Sequence, residues 1–261
     1  ETFKTKSELG YGGNSLNRPA FAFSNDGASI YFSGWNNAAC NQLSKIVLAT
    51  NQVTQVLDFN SAGGSVPNNF VRGLAVDGNE NVYWVVRQAV YQYNTETGTN
   101  KLIAGLPGTT GYVDSANGTD ARFDFGNDEG YPIIIDNLNN IYLTDWNNDA
   151  IRKINTRTNQ VTTVYKHAHS PIMAMFIRDD FLYFIPFSSN ATVYALSTKT
   201  GNIHKIFTEK ATEHRQAVAL YVDPYFNIYV FVHNNKYPII IAAEDTKFNR
   251  EKAIEMENFK F

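Results

Sequence analysis

The chain's 261 residues include five histidines, and four of them fall in comparable places. His167 and His169 stand in a polar stretch between two apolar runs. His214 occupies the corresponding stretch before the next run, and His233 closes a run. Neutral imidazoles are good ligands for zinc and copper, so three or four of them converging would make a metal centre. In an extended segment, residues i and i+2 point to one side, so His167-Ala168-His169 would present two imidazoles together. His204 falls inside an apolar run and reads as a solvated exterior residue. No Ser/His/Asp order, phosphate loop or carboxylate pair stands at a diagnostic spacing. Cys40 is the single cysteine, which excludes an intrachain disulfide framework and a cysteine-based zinc site; it reads as a small buried hydrophobe.

Calcium is a second candidate cation. The stretch from Gly105 to Glu129 carries Asp114, Asp120, Asp124, Asp128 and Glu129. Their spacing does not match an EF-hand, and the plainer reading is a solvated excursion. Trp35 and Trp146 sit beside asparagine pairs at expected loop tips. There an indole would stack on a sugar or a partner chain, or pack locally. Arg18, Arg72 and Arg215 fall at comparable positions. Two glycosylation sequons, Asn117-Gly118-Thr119 and Asn190-Ala191-Thr192, lie in expected loops, which favours a secreted or cell-surface protein.

The elements that must position these residues are short strands. Residues 131 to 165 contain four β-type runs, Pro132–Ile135, Ile141–Thr144, Ala150–Ile154 and Val161–Tyr165, separated by Asn-, Asp- and Thr-rich turns. Four strands so joined make an antiparallel meander. A pattern of aliphatic residue, tyrosine and apolar residue occurs five times: Ile30-Tyr31-Phe32, Val82-Tyr83-Trp84, Ile141-Tyr142-Leu143, Leu182-Tyr183-Phe184 and Ile228-Tyr229-Val230. Successive tyrosines are 52, 59, 41 and 46 residues apart. That period is the length of a propeller blade. The expectation is an all-β β-propeller of four-stranded antiparallel blades, with five repeats visible; a five-bladed ring is favoured and a six-bladed one is the alternative. Tyr83, Tyr142, Tyr183 and Tyr229 would be core residues between blades. The links between blades and those between second and third strands share one face of a propeller. His167, His169, His214, His233, Trp35, Trp146, Arg18, Arg72 and Arg215 all map there.

Residues 1–261 read as one domain, and 1–17 as a strand, Thr2–Lys6, with its exit loop. Lys252–Glu257 reads as the fourth strand of the fifth repeat or as a short helix; if it is not that strand, Thr2–Lys6 would close the ring on the fifth repeat, and otherwise it would pair with a neighbouring molecule or a sixth blade lies outside the chain. The chain begins with Glu1 and shows no signal peptide, as a processed or trimmed protein would. A net charge of −3 gives no electrostatic case for nucleic acid or an anionic membrane, and no apolar run approaches the roughly 18 residues of a membrane-spanning helix. At 43% hydrophobic and 14% aromatic, the chain has ample material for a core.

Residues 104 to 164 resemble the NHL-repeat family. The matching residues are Ala104-Gly105, Gly111-Tyr112-Val113-Asp114, Asp120-Ala121-Arg122-Phe123, the Asp136 turn with Asn140-Ile141-Tyr142-Leu143-Thr144-Asp145, then Asn148-Asp149-Ala150-Ile151-Arg152-Lys153-Ile154 and Val161-Thr162-Thr163-Val164. The resemblance implies a β-propeller, usually six-bladed, in a family of scaffolds, surface proteins, RNA-binding domains and a few metal-dependent lyases. The first reading is a non-enzymatic extracellular or surface propeller that binds a protein or glycan, or assembles through its N-terminal strand. The alternative is a metal-dependent lyase or hydrolase with its histidine site at the channel mouth. RNA binding would need a basic face, and the lysines and arginines are spread over all repeats.

Overall fold

The computed structural model describes residues 20–36, 39–59, 71, 73–86, 88–126, 132–187, 191–209, 216–233 and 238–242. These residues form five antiparallel sheets, and the strands of each follow one another in chain order. The first sheet comprises β1 (Phe21–Phe23), β2 (Ser29–Asn36), β3 (Ala39–Val47) and β4 (Gln52–Asp58). The second comprises β5 (Gly73–Val76), β6 (Val82–Val86), β7 (Ala89–Tyr93) and β8 (Asn100–Gly105). The third is β9 (Ile133–Ile135), β10 (Asn140–Asp145), β11 (Ala150–Asn155) and β12 (Val161–Lys166). The fourth is β13 (Ile172–Arg178), β14 (Phe181–Pro186), β15 (Ala191–Ser197) and β16 (Ile203–Glu209). The fifth shows three strands among the described residues: β17 (Gln216–Val222), β18 (Ile228–His233) and β19 (Pro238–Ala242). The five tyrosine-centred runs are the second strands of the five sheets. The expected strands Thr2–Lys6 and Lys252–Glu257 lie outside the described residues.

The repeats share a backbone as well as an order. Every turn between first and second strands has a residue in the left-handed region: Gly27, Glu80, Asn139, Asp179 and Phe226. Four of the five residues carry a Cβ, and the turn holds them there because side chains and strands lock its two ends. The lock is clearest in the second sheet. Asp77 Oδ1 accepts the backbone N–H of Asn79 and of Asn81, both at 2.9 Å, while Oδ2 accepts Asn81 Nδ2 at 2.8 Å and the Tyr83 hydroxyl at 2.9 Å. Asp136 and Asn140 repeat it, and so do Asp223, Asn227 and Tyr229. An Asx side chain that captures following N–H groups satisfies donors a tight turn would otherwise leave unpaired. The turn is clamped again from the far side of the sheet: Thr95, Thr156 and Thr198 hydroxyls donate to the carbonyls of Glu80, Asn139 and Asp180.

Two repeats replace the aspartate. In the first, Ser24 takes its place, and the Tyr31 hydroxyl donates instead to Glu80 Oε2 of the second sheet at 2.8 Å. In the fourth, Arg178 stands there and donates from Nε and Nη2 to the Val222 carbonyl of the fifth sheet, at 3.2 and 2.7 Å. In the first repeat Ser24 and Asp26 still lock the turn, Ser24 Oγ accepting the Ser29 N–H at 2.8 Å and donating to Asp26 Oδ1 at 2.6 Å; in both repeats a side chain freed from the aspartate ties one sheet to the next.

The chain divides into two compact units, Glu1–Ile141 with Lys153–Thr162, and Tyr142–Arg152 with Thr163–Phe261. In the first unit, Tyr31 and Leu43 of the first sheet share a core with Leu74, Val76, Val82 and Trp84 of the second. In the second unit, Tyr183, Val193 and Ala195 of the fourth sheet share one with Leu220, Val222, Ile228 and Val230 of the fifth. Tyr31, Tyr83, Tyr142 and Tyr183 are fully buried, as core tyrosines should be. Tyr229 is only half-buried, so the expectation that it is a core tyrosine like Tyr83, Tyr142 and Tyr183 holds in position and not in burial.

Candidate functional site

The third sheet carries the best-built surface feature. Asp145 ends β10 and Arg152 lies in β11. Their side chains meet at 2.6 Å with neither exposed at all. Asp145 Oδ1 also accepts Asn148 Nδ2 at 2.9 Å. This braces the short 3-10 turn Trp146–Asn148, which closes with Asp149 in the left-handed region. The His167 backbone N–H donates to the Asp149 carbonyl at 2.8 Å, bringing the link after β12 alongside. Trp146 and His167 are both half-buried. His167 Nδ1 is buried with no hydrogen-bond partner among the described residues, and the Tyr165 ring lies 6.2 Å away. Tyr165 packs on Phe184 at 4.5 Å, and burial, with Tyr194 beside it, pushes its hydroxyl up to about 12. Around neutral pH that phenol is a hydrogen-bond donor, not a base.

Fully burying an ion pair removes two charges from water and adds little net stability. What it gives is a fixed geometry. Here the surface consequence is a tryptophan held on a rigid turn. An indole offers stacking area at low entropic cost, and an imidazole and a phenol offer hydrogen bonds. Together these are groups for recognition.

The other expected residues divide into those the structure describes and those it does not. His169 is exposed, with φ of 66°. The chain bends there, so His167 and His169 do not share one side of an extended segment as expected. His233 ends β18 opposite Gln216 and Pro238, at the expected end of its sheet; its side chain is not described. Trp35 lies in β2 and Cys40 in β3, likewise without described side chains. Arg18, Arg72, His214, Arg215 and Asn190 lie outside the described residues. Among the described residues no three His, Cys, Asp or Glu side chains gather as a metal site. His204 belongs to a fourth strand as expected, yet it is half-buried opposite Ala195 and not fully solvated.

The stretch expected as a solvated excursion is a packed strap. Ala121, Phe123 and Phe125 alternate inward and are buried, and the two phenylalanine rings stack at 5.0 Å. Val113 and Arg122 exchange backbone hydrogen bonds, and Ser115 exchanges two with Val161, covering the start of the open edge of β12. A covered edge cannot recruit a stray strand. The strap turns Leu106, Tyr112 and Val113 outward at 40 to 46% exposure. The sequon Asn117 is exposed on it, with Nδ2 donating to Asp120 Oδ2 at 2.9 Å. The period-two pattern Ala121-Arg122-Phe123-Asp124-Phe125 was the available signal, masked by the acidic residues between.

No family model matches the chain, and no curated protein matches it in sequence. Solved structures match it in fold. A chain in the crystal structure of a nidogen/laminin complex is 12% identical with a TM-score of 0.55, over 84% of this chain and 77% of that one. Two structures of the extracellular domain of BT4673 from B. thetaiotaomicron, described as a one-component and as a hybrid two-component system, are 14% and 13% identical. Their TM-scores are 0.52 and 0.53, over 80% and 81% of this chain, which spans 26% of each of theirs. With the five repeated antiparallel sheets, this likeness defines the fold as a β-propeller. No helix among the described residues is long and apolar enough to cross a membrane.

Proposed function

We propose that this propeller is a non-catalytic binding module of the cell exterior whose ligand is a protein surface or its glycan. The observation that carries it is the braced turn: a completely buried Asp145–Arg152 pair fixes Trp146 at the surface beside His167. Aromatic residues on rigid loops are the usual anchors of protein recognition. The nidogen/laminin complex, a protein assembly that contains a similar fold, and the extracellular setting of BT4673 support the same reading. So does the NHL-like sequence of residues 104–164. Glycans on Asn117 and Asn190 belong to it, as does self-assembly through residues 1–10.

The test is a photo-crosslinking residue placed at position 146 in the protein in its native setting. The captured partner is identified, purified and titrated. Trp146→Ala should weaken that partner about tenfold or more while leaving the melting temperature unchanged. Equal affinity of the two proteins would contradict the reading. Stoichiometric metal in the purified protein would favour the lyase or hydrolase reading instead.

A further inference from the structure

The repeats give Trp146 four counterparts. It is the fourth residue after Tyr142, and the fourth residue after the tyrosine in the other repeats is Trp35, Arg87, Phe187 or His233. Two of the chain's three tryptophans therefore share one position. The second strands end at Asn36, Val86, Asp145, Pro186 and His233, within one residue of it. Trp146 and Phe187 are the two whose side chains are described. The core does not account for them. Leu143 and Phe184, three residues earlier in each repeat, are fully buried, whereas Trp146 is half-buried and Phe187 is 39% exposed. Tryptophan, phenylalanine and arginine are the types that protein–protein interfaces favour.

Trp146 and Phe187 belong to one compact unit, and one stretch of chain ties them together. At its start the His167 N–H donates to the carbonyl of Asp149, which closes the Trp146 turn. At its end the Phe187 N–H donates to the Pro171 carbonyl at 2.7 Å. Four residues separate the two ties, a reach of at most about 14 Å, and the left-handed backbone at His169 shortens it.

We propose that Trp146, the link 167–171 and Phe187 form one protein-binding surface, with Phe187 as its second anchor. The proposal rests on the reading of the braced turn and narrows its ligand to a protein. An indole with its N–H suits a sugar or a protein alike. The side chains of Phe187 and Pro171 offer no donor or acceptor, so a sugar hydroxyl laid on them would lose water and gain nothing. The partner must bring apolar side chains to both anchors.

The experiment titrates the purified partner captured from position 146, with and without enzymatic removal of its glycans. Phe187→Ala should weaken it about tenfold, and Phe187→Leu much less, with the melting temperature unchanged in both. Removing the glycans should leave the affinity as it was. A photo-crosslinking residue at position 187 should capture the same partner. Phe187→Ala binding as tightly as wild type, while Trp146→Ala does not, would overturn the second anchor and leave the braced turn standing. Affinity lost with the glycans would overturn the protein assignment in favour of a sugar. Cross-links from position 187 to this chain alone would show the surface already covered and overturn the proposal. No partner at position 146 would overturn both readings.

Discussion

Two copies of one turn make the same hydrogen bonds in opposite surroundings. In the second repeat, Asp77, Asn81 and Tyr83 are all buried. In the fifth, Asp223 and Tyr229 are half-buried and Asn227 is exposed. The geometry hardly differs. Asn81 and Asn227 each donate Nδ2 at 2.8 Å, and only the tyrosine hydroxyl lengthens, from 2.9 to 3.3 Å. The motif is therefore a device of local structure that works without a core around it. Burial decides what its loss would cost, because water can replace a partner at Asn227 and cannot at Asn81.

The sharpest way to break this comparison is to remove both aspartates in turn. Asp77→Ala leaves the Asn81 N–H, the Asn81 amide and the Tyr83 phenol without their aspartate partner in the interior, and should cost about 3 kcal/mol or more in chemical denaturation. Asp223→Ala should cost much less, because water takes the place of the lost partner. Equal losses would mean that the turn acts through the unfolded chain and not through burial. Next in size is Gly118→Ala in the strap. A Cβ there would sit 2.0 Å from the Ile103 carbonyl oxygen and 2.5 Å from that of Asn159. Both are backbone atoms, and the substitution should cost about 2 kcal/mol and raise the proteolytic sensitivity of residues 106–126.

The contrast between these regions also separates what was legible in the sequence from what was not. The tyrosine runs located all five second strands because aliphatic-Tyr-apolar triplets recur in phase with turn residues, and phase is a property of sequence. The strap was not legible. Its inward alternation of Ala121, Phe123 and Phe125 sits between Asp120 and Asp124, and charge density read as solvent exposure. The Asp145–Arg152 pair stayed hidden for a similar reason, since partners on two strands, seven residues apart, look like two surface charges. The bend at His169 and the exposure of Tyr229 depend on tertiary surroundings, which residue type does not carry.

Smaller effects sharpen the comparison further. Tyr83→Phe strips a hydroxyl that donates to Asp77 and accepts from Gln92 Nε2 at 3.0 Å, and should cost about 1 to 2 kcal/mol in chemical denaturation, with Tyr229→Phe costing clearly less. Acid provides the gentlest probe. Partial burial raises the Asp223 carboxyl, but the hydrogen bonds from Asn227 and Tyr225 outweigh it and hold the group below its ordinary value. A depressed carboxyl stabilises the fold above the unfolded-state value and loses that contribution as pH falls through the folded one. With the intrinsic pH dependence of exchange divided out, amide protection around residues 223–229 should therefore fall below about pH 4 and be flat from there to neutrality. The same profile in Asp223→Asn would remove the assignment.

The central claim is that the five tyrosine-centred strands are equivalent members of one repeated architecture. Hydrogen exchange read by mass spectrometry, over peptides spanning residues 30–32, 82–84, 141–143, 182–184 and 228–230, tests it directly. The account predicts slow exchange in all five, the fifth being the least protected, with fast exchange in the turns that precede them. A second strand that exchanges as rapidly as its own turn would contradict it.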